Sequence, residues 1–120
     1  MKTVLVAEDE PAIRELLAEV LRGEGHRVLA AADGLVALAL LARETPDLVL
    51  TDAMMPGLDG LGLAARMRAD PRTAGVPVVL MSAAAPARPD GLDGVGFLAK
   101  PFDLDRLLGV VARALDGGPP

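Results

Sequence analysis

The 120-residue chain contains no cysteine, tryptophan or tyrosine, and its aromatic residues are only Phe97 and Phe102. Without cysteine it can form neither a disulfide nor a thiolate metal site, which is consistent with a reducing cytoplasm. Two phenylalanines offer little surface for stacking on bases. The net charge of -5 is also opposite in sign to that of most nucleic-acid-binding surfaces. We therefore expect no direct nucleic-acid binding by this domain.

Long apolar runs are also missing. The longest, residues 35–42, has eight residues and reads as a buried helix, since a membrane span needs roughly 18. Glu8 and Asp9 interrupt the first apolar stretch too early for a signal peptide. Because 52% of the residues are apolar, a chain of this length can bury one core. We expect a soluble, cytoplasmic, single-domain protein.

Short apolar runs alternate with helical patterns along the chain. Strands are predicted over residues 3–7, 27–31, 48–51, 76–81 and 95–99, and helices over 35–43 and 60–69. A further helix is predicted to have Pro11 in its first turn and to be closed by Gly23 and Gly25, and a last one to follow Asp103. This alternation predicts a doubly wound α/β fold, in which helices cover both faces of a five-stranded parallel sheet. The uninterrupted apolar strands agree with burial on both faces. A common strand order for such sheets is 2-1-3-4-5, the flavodoxin-like order.

The first predicted helix has apolar residues at helical spacing, which we expect to form one buried face: Ile13, Leu16, Leu17, Val20 and Leu21. The charged residues outside this stripe are expected to be solvated: Arg14, Glu15, Glu19 and Arg22. The last helix should begin after the capping residue Asp103. Its apolar residues are Leu104, Leu107, Leu108, Val111 and Leu115.

A regular helix is not expected between the fourth and fifth strands. Apolar periodicity is missing from residues 83–95, and prolines and glycines interrupt the segment up to the fifth strand: Pro86, Pro89, Gly91, Gly94 and Gly96. We predict a loop or at most one helical turn there, so that the fourth helix of the fold is degenerate or missing.

Residues able to do chemistry follow four of the five predicted strands. Glu8 and Asp9 follow the first, Asp52 the third, Ser82 the fourth and Lys100 the fifth. In the 2-1-3-4-5 order the first and third strands are neighbours, so the three carboxylates should converge. Crowded carboxylates repel one another, and a hard cation such as Mg²⁺ relieves the repulsion. The cluster predicts a Mg²⁺-dependent reaction of phosphate, with an aspartate able to accept it covalently.

Each of these residues has an ordinary structural explanation when taken alone. A lone aspartate at a strand end is more often a cap, and Lys100 before Pro101 could be a solvated loop residue. Their coincidence at one end of one sheet favours a site. His26, at the start of the second strand, is expected to be structural, and Met54 and Met55 are expected to pack rather than bind metal.

Four segments together resemble the receiver domain of two-component response regulators, the CheY-like family. They are VLVAEDE near the start, LVLTDAMMPGLDG in the middle, then VVLMSA and FLAKPF, and the resemblance covers residues 2–115. It implies that Asp52 accepts a phosphoryl group from a phosphohistidine on a sensor histidine kinase or phosphotransfer protein. It also implies that Mg²⁺ is held by Glu8, Asp9, Asp52 and the backbone carbonyl of Met54.

The resemblance further implies a conformational switch. Ser82 and Lys100 would contact the phosphoryl group, and Pro101 would occupy a cis-proline position. Phe97 would be the aromatic switch residue, although it lacks the hydroxyl of a tyrosine. Phosphorylation would then change the surface between the fourth strand and the last helix, the family's fifth, to control an unknown output partner or domain.

Two other functions remain open. A phosphatase with an aspartyl nucleophile would need a second acid two residues after Asp52, but that residue is Met54. A receiver-like interaction module with altered switching is the other possibility, because of the irregular segment 83–95. We expect residues 1–116 to form the receiver domain and residues 117–120 to be a flexible tail or the start of a linker.

Overall fold

A computed structural model describes residues 1–83 and 95–117 of the chain. The described strands are β1 (Thr3–Ala7), β2 (Arg27–Ala31), β3 (Leu48–Asp52), β4 (Val78–Ser82) and β5 (Val95–Ala99). The described helices are α1 (Pro11–Gly23), α2 (Gly34–Arg43), α3 (Gly60–Ala69) and α4 (Leu104–Leu115). Among the described residues, none of the helices could span a lipid bilayer.

The five strands form one parallel sheet in the order β2-β1-β3-β4-β5, as the sequence predicted. Successive residues of each strand point to opposite faces, so two apolar layers arise from one strand sequence. Leu5 and Val49 lie in the layer that α2 and α3 cover. Val4 and Leu50 lie in the layer that α1 and α4 cover. The fold is therefore the predicted doubly wound α/β sandwich.

Aspartate is the N-cap residue of three of the four described helices. Asp33, Asp59 and Asp103 have extended backbones, and each accepts a hydrogen bond from a backbone N–H three residues later, at 2.7–2.8 Å. Such caps satisfy amides that the helix itself leaves unpaired, and each contributes about 1 kcal/mol. The local sequence thus determines where these helices begin.

The bounds of β3 and β4 differ slightly from the prediction. β3 runs on to Asp52, which pairs with Met81 of β4. β4 begins at Val78, two residues later than predicted, and ends at Ser82. Val76 is buried, but its amide bonds to Thr73 in the preceding loop, and Pro77 has no amide to donate. The Pro77 carbonyl still accepts a hydrogen bond from the amide of Val49 in β3, but neither Val76 nor Pro77 donates one to the sheet. The apolar run therefore begins before the strand.

The predicted buried face of α1 was partly wrong. Leu17, Ala18 and Leu21 are buried, whereas Ile13 is 36% exposed and Leu16 is 52% exposed. The face of α1 that packs on the sheet is therefore not the predicted one, and Leu16 lies outside it. Arg14 lies on the packed face, where it is half-buried rather than solvated as expected.

The second helix is also less buried than its composition suggested. Gly34, Ala37 and Leu41 face the core, but Leu35 is 59% exposed and Val36 is 42% exposed. An apolar sequence permits burial on every side, yet the neighbouring elements cover only one side of this helix. The expected loop over residues 83–95 falls largely on residues 84–94, outside the described residues, as do residues 118–120 of the expected tail.

Gly60, the first residue of α3, lies where the chain turns back against β3. A Cβ atom there would lie 2.4 Å from the carbonyl oxygen of Asp52 and 2.9 Å from Cα of Ala53. Since backbone atoms cannot move aside, Gly60→Ala should lower the free energy of unfolding by about 2–3 kcal/mol. Urea unfolding followed by far-ultraviolet circular dichroism would measure the change.

Gly109 provides the matched control for this substitution. It is exposed within α4, and a Cβ atom there would have no neighbour within 4 Å. Gly109→Ala should therefore raise the free energy of unfolding by about 0.5–1 kcal/mol, the gain expected of alanine in a helix. Equal effects of the two substitutions would contradict the close approach at Gly60.

Candidate functional site

Three carboxylates meet at the carboxyl ends of the neighbouring strands β1 and β3. The parallel register pairs Ala7 with Thr51, so the next residues, Glu8 and Asp52, lie side by side. One carboxylate oxygen from each of Glu8, Asp9 and Asp52 lies within 4.8 Å of the other two. The predicted convergence of these acids is therefore present in the structure.

Glu8 is the most deeply buried of the three acids, with 1% of its surface exposed. Its amide donates to the carbonyl oxygen of Ala31 in β2, which extends the sheet by one residue. Its Oε2 accepts a hydrogen bond from the amide of Glu10 at 3.2 Å. These bonds hold the loop between β1 and α1 so that the carboxylate points across the end of the sheet.

Asp52 is 8% exposed and is held from two sides. Its Oδ2 accepts a hydrogen bond from Nζ of Lys100 at 3.0 Å, and its Oδ1 accepts one from the amide of Met54 at 3.2 Å. Its backbone carbonyl accepts from the buried hydroxyl of Thr51 at 3.1 Å. Hydrogen bonds therefore fix the direction of both Asp52 carboxylate oxygens at the carboxyl end of the sheet.

Lys100 reaches the acids from the end of β5. Its amide donates to the carbonyl oxygen of Ser82 at 2.8 Å, and the following bond to Pro101 is cis, as the resemblance implied. Its Nζ lies 3.4 Å from Oε1 of Glu8 as well as 3.0 Å from Asp52. Burial alone lowers the pKa of this ammonium, but the Asp52 hydrogen bond and the Glu8 charge outweigh that effect and raise it. Lys100 is therefore cationic at neutral pH.

The pKa of Glu8 is raised from 4.5 to about 7. The main cause is burial, which penalises the charged carboxylate. Hydrogen bonding and charge repulsion from Asp52 raise the pKa further, while the Glu10 amide and Lys100 oppose the shift. The single ammonium of Lys100 is shared between Glu8 and Asp52, and it does not cancel the cost of burying a charged Glu8 beside Asp52.

The two residues predicted to act as a switch lie on the neighbouring strands β4 and β5. Ser82 ends β4, where it pairs with Ala99 of β5 and is half-buried. Phe97 lies in β5 opposite Leu80 and is also half-buried, against the apolar layer under α2 and α3. Ser82 is therefore bonded to the Lys100 backbone at the end of the sheet, whereas Phe97 lies three residues before Lys100 in β5.

The methionines after Asp52 differ from each other. Met55 packs into the core, as expected, and its sulfur lies 3.9 Å from the hydroxyl oxygen of Thr51. The side chain of Met54 does not pack as expected, because the residue is 76% exposed, and only its backbone contacts the site. His26 lies just before β2, at the amino end of the sheet and away from the site.

The sequence interpretation missed Arg14. Its Nη1 donates a hydrogen bond to the carbonyl oxygen of Glu8 at 2.9 Å, from the first turns of α1. A signal was present in the spacing, because Arg14 precedes the buried residues Leu17, Ala18 and Leu21 by three, four and seven positions. These positions share one helical face, so a long polar side chain there points toward the sheet.

Comparison with known proteins agrees with this geometry. The family model described as the response regulator receiver domain matches residues 4–112. The chain is 37% identical to the DNA-binding dual master transcriptional regulator RpaA of Synechocystis sp., over 96% of this chain and 49% of that protein. It is 35% identical to sporulation initiation phosphotransferase F of Bacillus subtilis, over 93% of this chain and 92% of that protein.

Solved structures share the fold. The response regulator TrrA of Thermotoga maritima, in complex with Mg²⁺ and BeF, is 34% identical and superposes with a TM-score of 0.83, covering 95% of this chain and 99% of that chain. The chain belongs to the response regulator receiver domain family. It spans about half the length of the regulator RpaA.

The raised pKa of Glu8 predicts how stability depends on pH when divalent cations are chelated. Native Glu8 keeps its proton up to about pH 7, whereas unfolded Glu8 loses it near 4.5. The free energy of unfolding should therefore fall as the pH rises between these values. Glu8→Gln should remove that fall, which amounts to about 3 kcal/mol.

Urea unfolding by circular dichroism at several pH values in EDTA measures the dependence. The matched control is Glu15→Gln, because Glu15 is an exposed acid on α1. The control should keep the pH dependence of the wild type. A Glu8→Gln protein with the same pH dependence as the wild type would contradict the raised pKa.

Proposed function

We propose that the chain is a phosphorylation switch in which Asp52 receives a phosphoryl group from the phosphohistidine of a sensor histidine kinase or phosphotransfer protein. The main support is the arrangement around Asp52: its buried carboxylate lies 3.0 Å from the Lys100 ammonium and within 4.8 Å of carboxylate oxygens of two further acids. Membership of the receiver family supports the same conclusion.

The reaction forms a bond between an Asp52 carboxylate oxygen and phosphorus and breaks the bond between phosphorus and the donor imidazole nitrogen. The freed imidazole takes a proton from water. Positioning and charge neutralisation matter more than acid–base groups in such transfers. The amide of Met54 and the ammonium of Lys100 fix the direction of the Asp52 carboxylate before the donor arrives. Lys100 then stabilises negative charge on the transferring oxygens.

The residues present fit Mg²⁺ as the cofactor. Carboxylate oxygens from Glu8, Asp9 and Asp52 form a compact cluster of hard donors, and one lysine leaves their negative charge incompletely offset. These three residues, with the carbonyl of Met54, would hold the ion. When bound, Mg²⁺ supplies positive charge to the phosphoryl oxygens.

Phosphorylation would be transmitted through β4 and β5. It adds negative charge and acceptor oxygens beside Lys100, which is bonded through its amide to Ser82. The Ser82 hydroxyl would turn toward the phosphoryl group, and Phe97, across the ladder from Leu80, would move further into the sheet. The surface from β4 to α4 would then take up its second arrangement.

The output of the switch is an unknown partner or domain. We propose that residues 1–116 form the receiver unit, that residues 117–120 are a tail or linker, and that the protein acts in the cytoplasm. The acidic net charge of -5 supports an output through protein contacts rather than direct nucleic-acid binding by this domain. If the isolated chain pulled down DNA at physiological salt, the proposal that this domain does not bind nucleic acid directly would be wrong.

Intact mass spectrometry after incubation with acetyl phosphate and Mg²⁺ tests the acceptor. The wild type should gain one phosphoryl group, and Asp52→Ala should gain none, because the accepting carboxylate is gone. The matched control is Asp105→Ala, since Asp105 is an exposed aspartate of α4. The control should be labelled like the wild type.

The same reagents separate the switch from a phosphatase. Met54 cannot supply the proton that a phosphatase needs two residues after its nucleophile, so a generic phosphate ester should not be turned over repeatedly. Equal labelling of wild type and Asp52→Ala would defeat the acceptor assignment. Sustained ester hydrolysis that depends on Asp52 would favour the phosphatase.

Aromatic NMR signals can follow the proposed movement of Phe97 directly. With no tryptophan or tyrosine, the aromatic spectrum comes only from Phe97, Phe102 and His26. Acetyl phosphate with Mg²⁺ should shift the Phe97 ring signals in the wild type. Ser82→Ala should accept the phosphoryl group but show a smaller shift, because the hydroxyl that couples the two events is missing. Unchanged Phe97 signals in fully phosphorylated wild type would contradict the switch.

A further inference from the structure

We infer that Arg14 is a positioning residue for the metal site: its guanidinium orients the loop that carries Glu8 and Asp9, and it does so through the backbone. This inference rests on the proposed Mg²⁺-dependent function. The observation behind it is the hydrogen bond from Nη1 of Arg14 to the carbonyl oxygen of Glu8, at 2.9 Å and partly buried.

The position of Arg14 on α1 sets it apart from the other charged residues of the helix. It shares a helical face with Leu17, Ala18 and Leu21, which are buried against the sheet. An apolar residue would suit that face. Glu15 and Glu19 lie on other faces and are exposed. A half-buried arginine at this place indicates a specific contact, because burying a charged group without a partner is costly.

The contact acts on the loop and not on a carboxylate. Among residues 1–83 and 95–117, no carboxylate oxygen lies within 4.0 Å of an Arg14 nitrogen as an ion pair. The bonded carbonyl belongs to Glu8, whose own amide is tied to Ala31 of β2. The peptide group between Glu8 and Asp9 is therefore held at its oxygen by Arg14. That peptide determines how the two side chains diverge toward Asp52.

Orientation and charge predict opposite effects of removing Arg14. If the guanidinium acted only through its charge, its loss would reduce repulsion and tighten the binding of Mg²⁺. If it orients the acidic loop, its loss weakens binding, as removal of outer-shell partners does by about 10–100-fold. The direction in which the Mg²⁺ affinity changes therefore distinguishes an orienting role of Arg14 from an effect of its charge alone.

Calorimetric titration with Mg²⁺ measures this sign. Arg14→Gln should raise the dissociation constant about tenfold, and Arg14→Lys, which keeps the charge and one possible donor, should fall between it and the wild type. The matched control is Arg22→Gln, since Arg22 is exposed in the last turn of α1, about 12 Å along the helix from Arg14. The control should bind like the wild type.

Phosphorylation kinetics provide a second measurement. The Mg²⁺ concentration that gives half-maximal labelling by acetyl phosphate should rise about tenfold in Arg14→Gln, while the rate at saturating Mg²⁺ changes by less than about twofold. A merely structural role would reduce the labelled fraction at every Mg²⁺ concentration. Urea unfolding in EDTA establishes whether each variant is folded. If Arg14→Gln does not fold, Arg14→Lys is compared with the wild type in its place.

Two results would overturn the inference. If wild type binds Mg²⁺ and Arg14→Gln binds it as tightly or more tightly, Arg14 does not position the site, although the proposed function stands. If wild type does not bind Mg²⁺ at all, the proposed metal site fails and the role of Arg14 fails with it. Loss of binding in Asp52→Ala confirms that the titration reports on this site.

Discussion

The repulsion among three carboxylates at the ends of β1 and β3 is the constraint on which the rest of the site depends. Their oxygens lie within 4.8 Å of one another, and one is almost completely buried. Lys100 divides its ammonium between Glu8 and Asp52, so it offsets only part of the negative charge. Burial is the main cause of the raised pKa of Glu8, and repulsion from Asp52 raises it further. Because negative charge remains in excess, the site favours the binding of a divalent cation.

The fold creates this repulsion and also supports it. Parallel strands place all their carboxyl ends at one edge of the sheet, and the order β2-β1-β3-β4-β5 makes the two acidic ends neighbours. Two apolar layers, one on each face, hold the strands in register. The core stability therefore compensates for the cost of crowding acids at its rim. Gly60 lets the chain turn back against the Asp52 carbonyl without a steric clash.

The hydrogen bonds around the site form two groups: some fix the acidic residues in place, and others join them to the end of β4. Asp52 is fixed by the amide of Met54, and the acidic loop by Ala31 and Arg14. In contrast, the ammonium of Lys100 contacts two acids, and its backbone is tied to Ser82 at the end of β4. Lys100 therefore connects Asp52 to Glu8 after β1 and, through its backbone, to the end of β4.

Local sequence determined the order of the elements, the helix starts at Asp33, Asp59 and Asp103, and the placement of acids after the strands. These features depend on near neighbours in the chain, namely side-chain periodicity and caps that bond three residues on. The candidate acids and Lys100 could be found for the same reason, because strand ends can be read from sequence.

Only the tertiary structure decided which arc of α1 is covered, where β4 begins, and how far burial raises the pKa of Glu8. It exposed Leu16 and Leu35 and brought Arg14 to the acidic loop. The physical reason is that periodicity states which residues share a face, whereas docking against distant elements decides which face is buried.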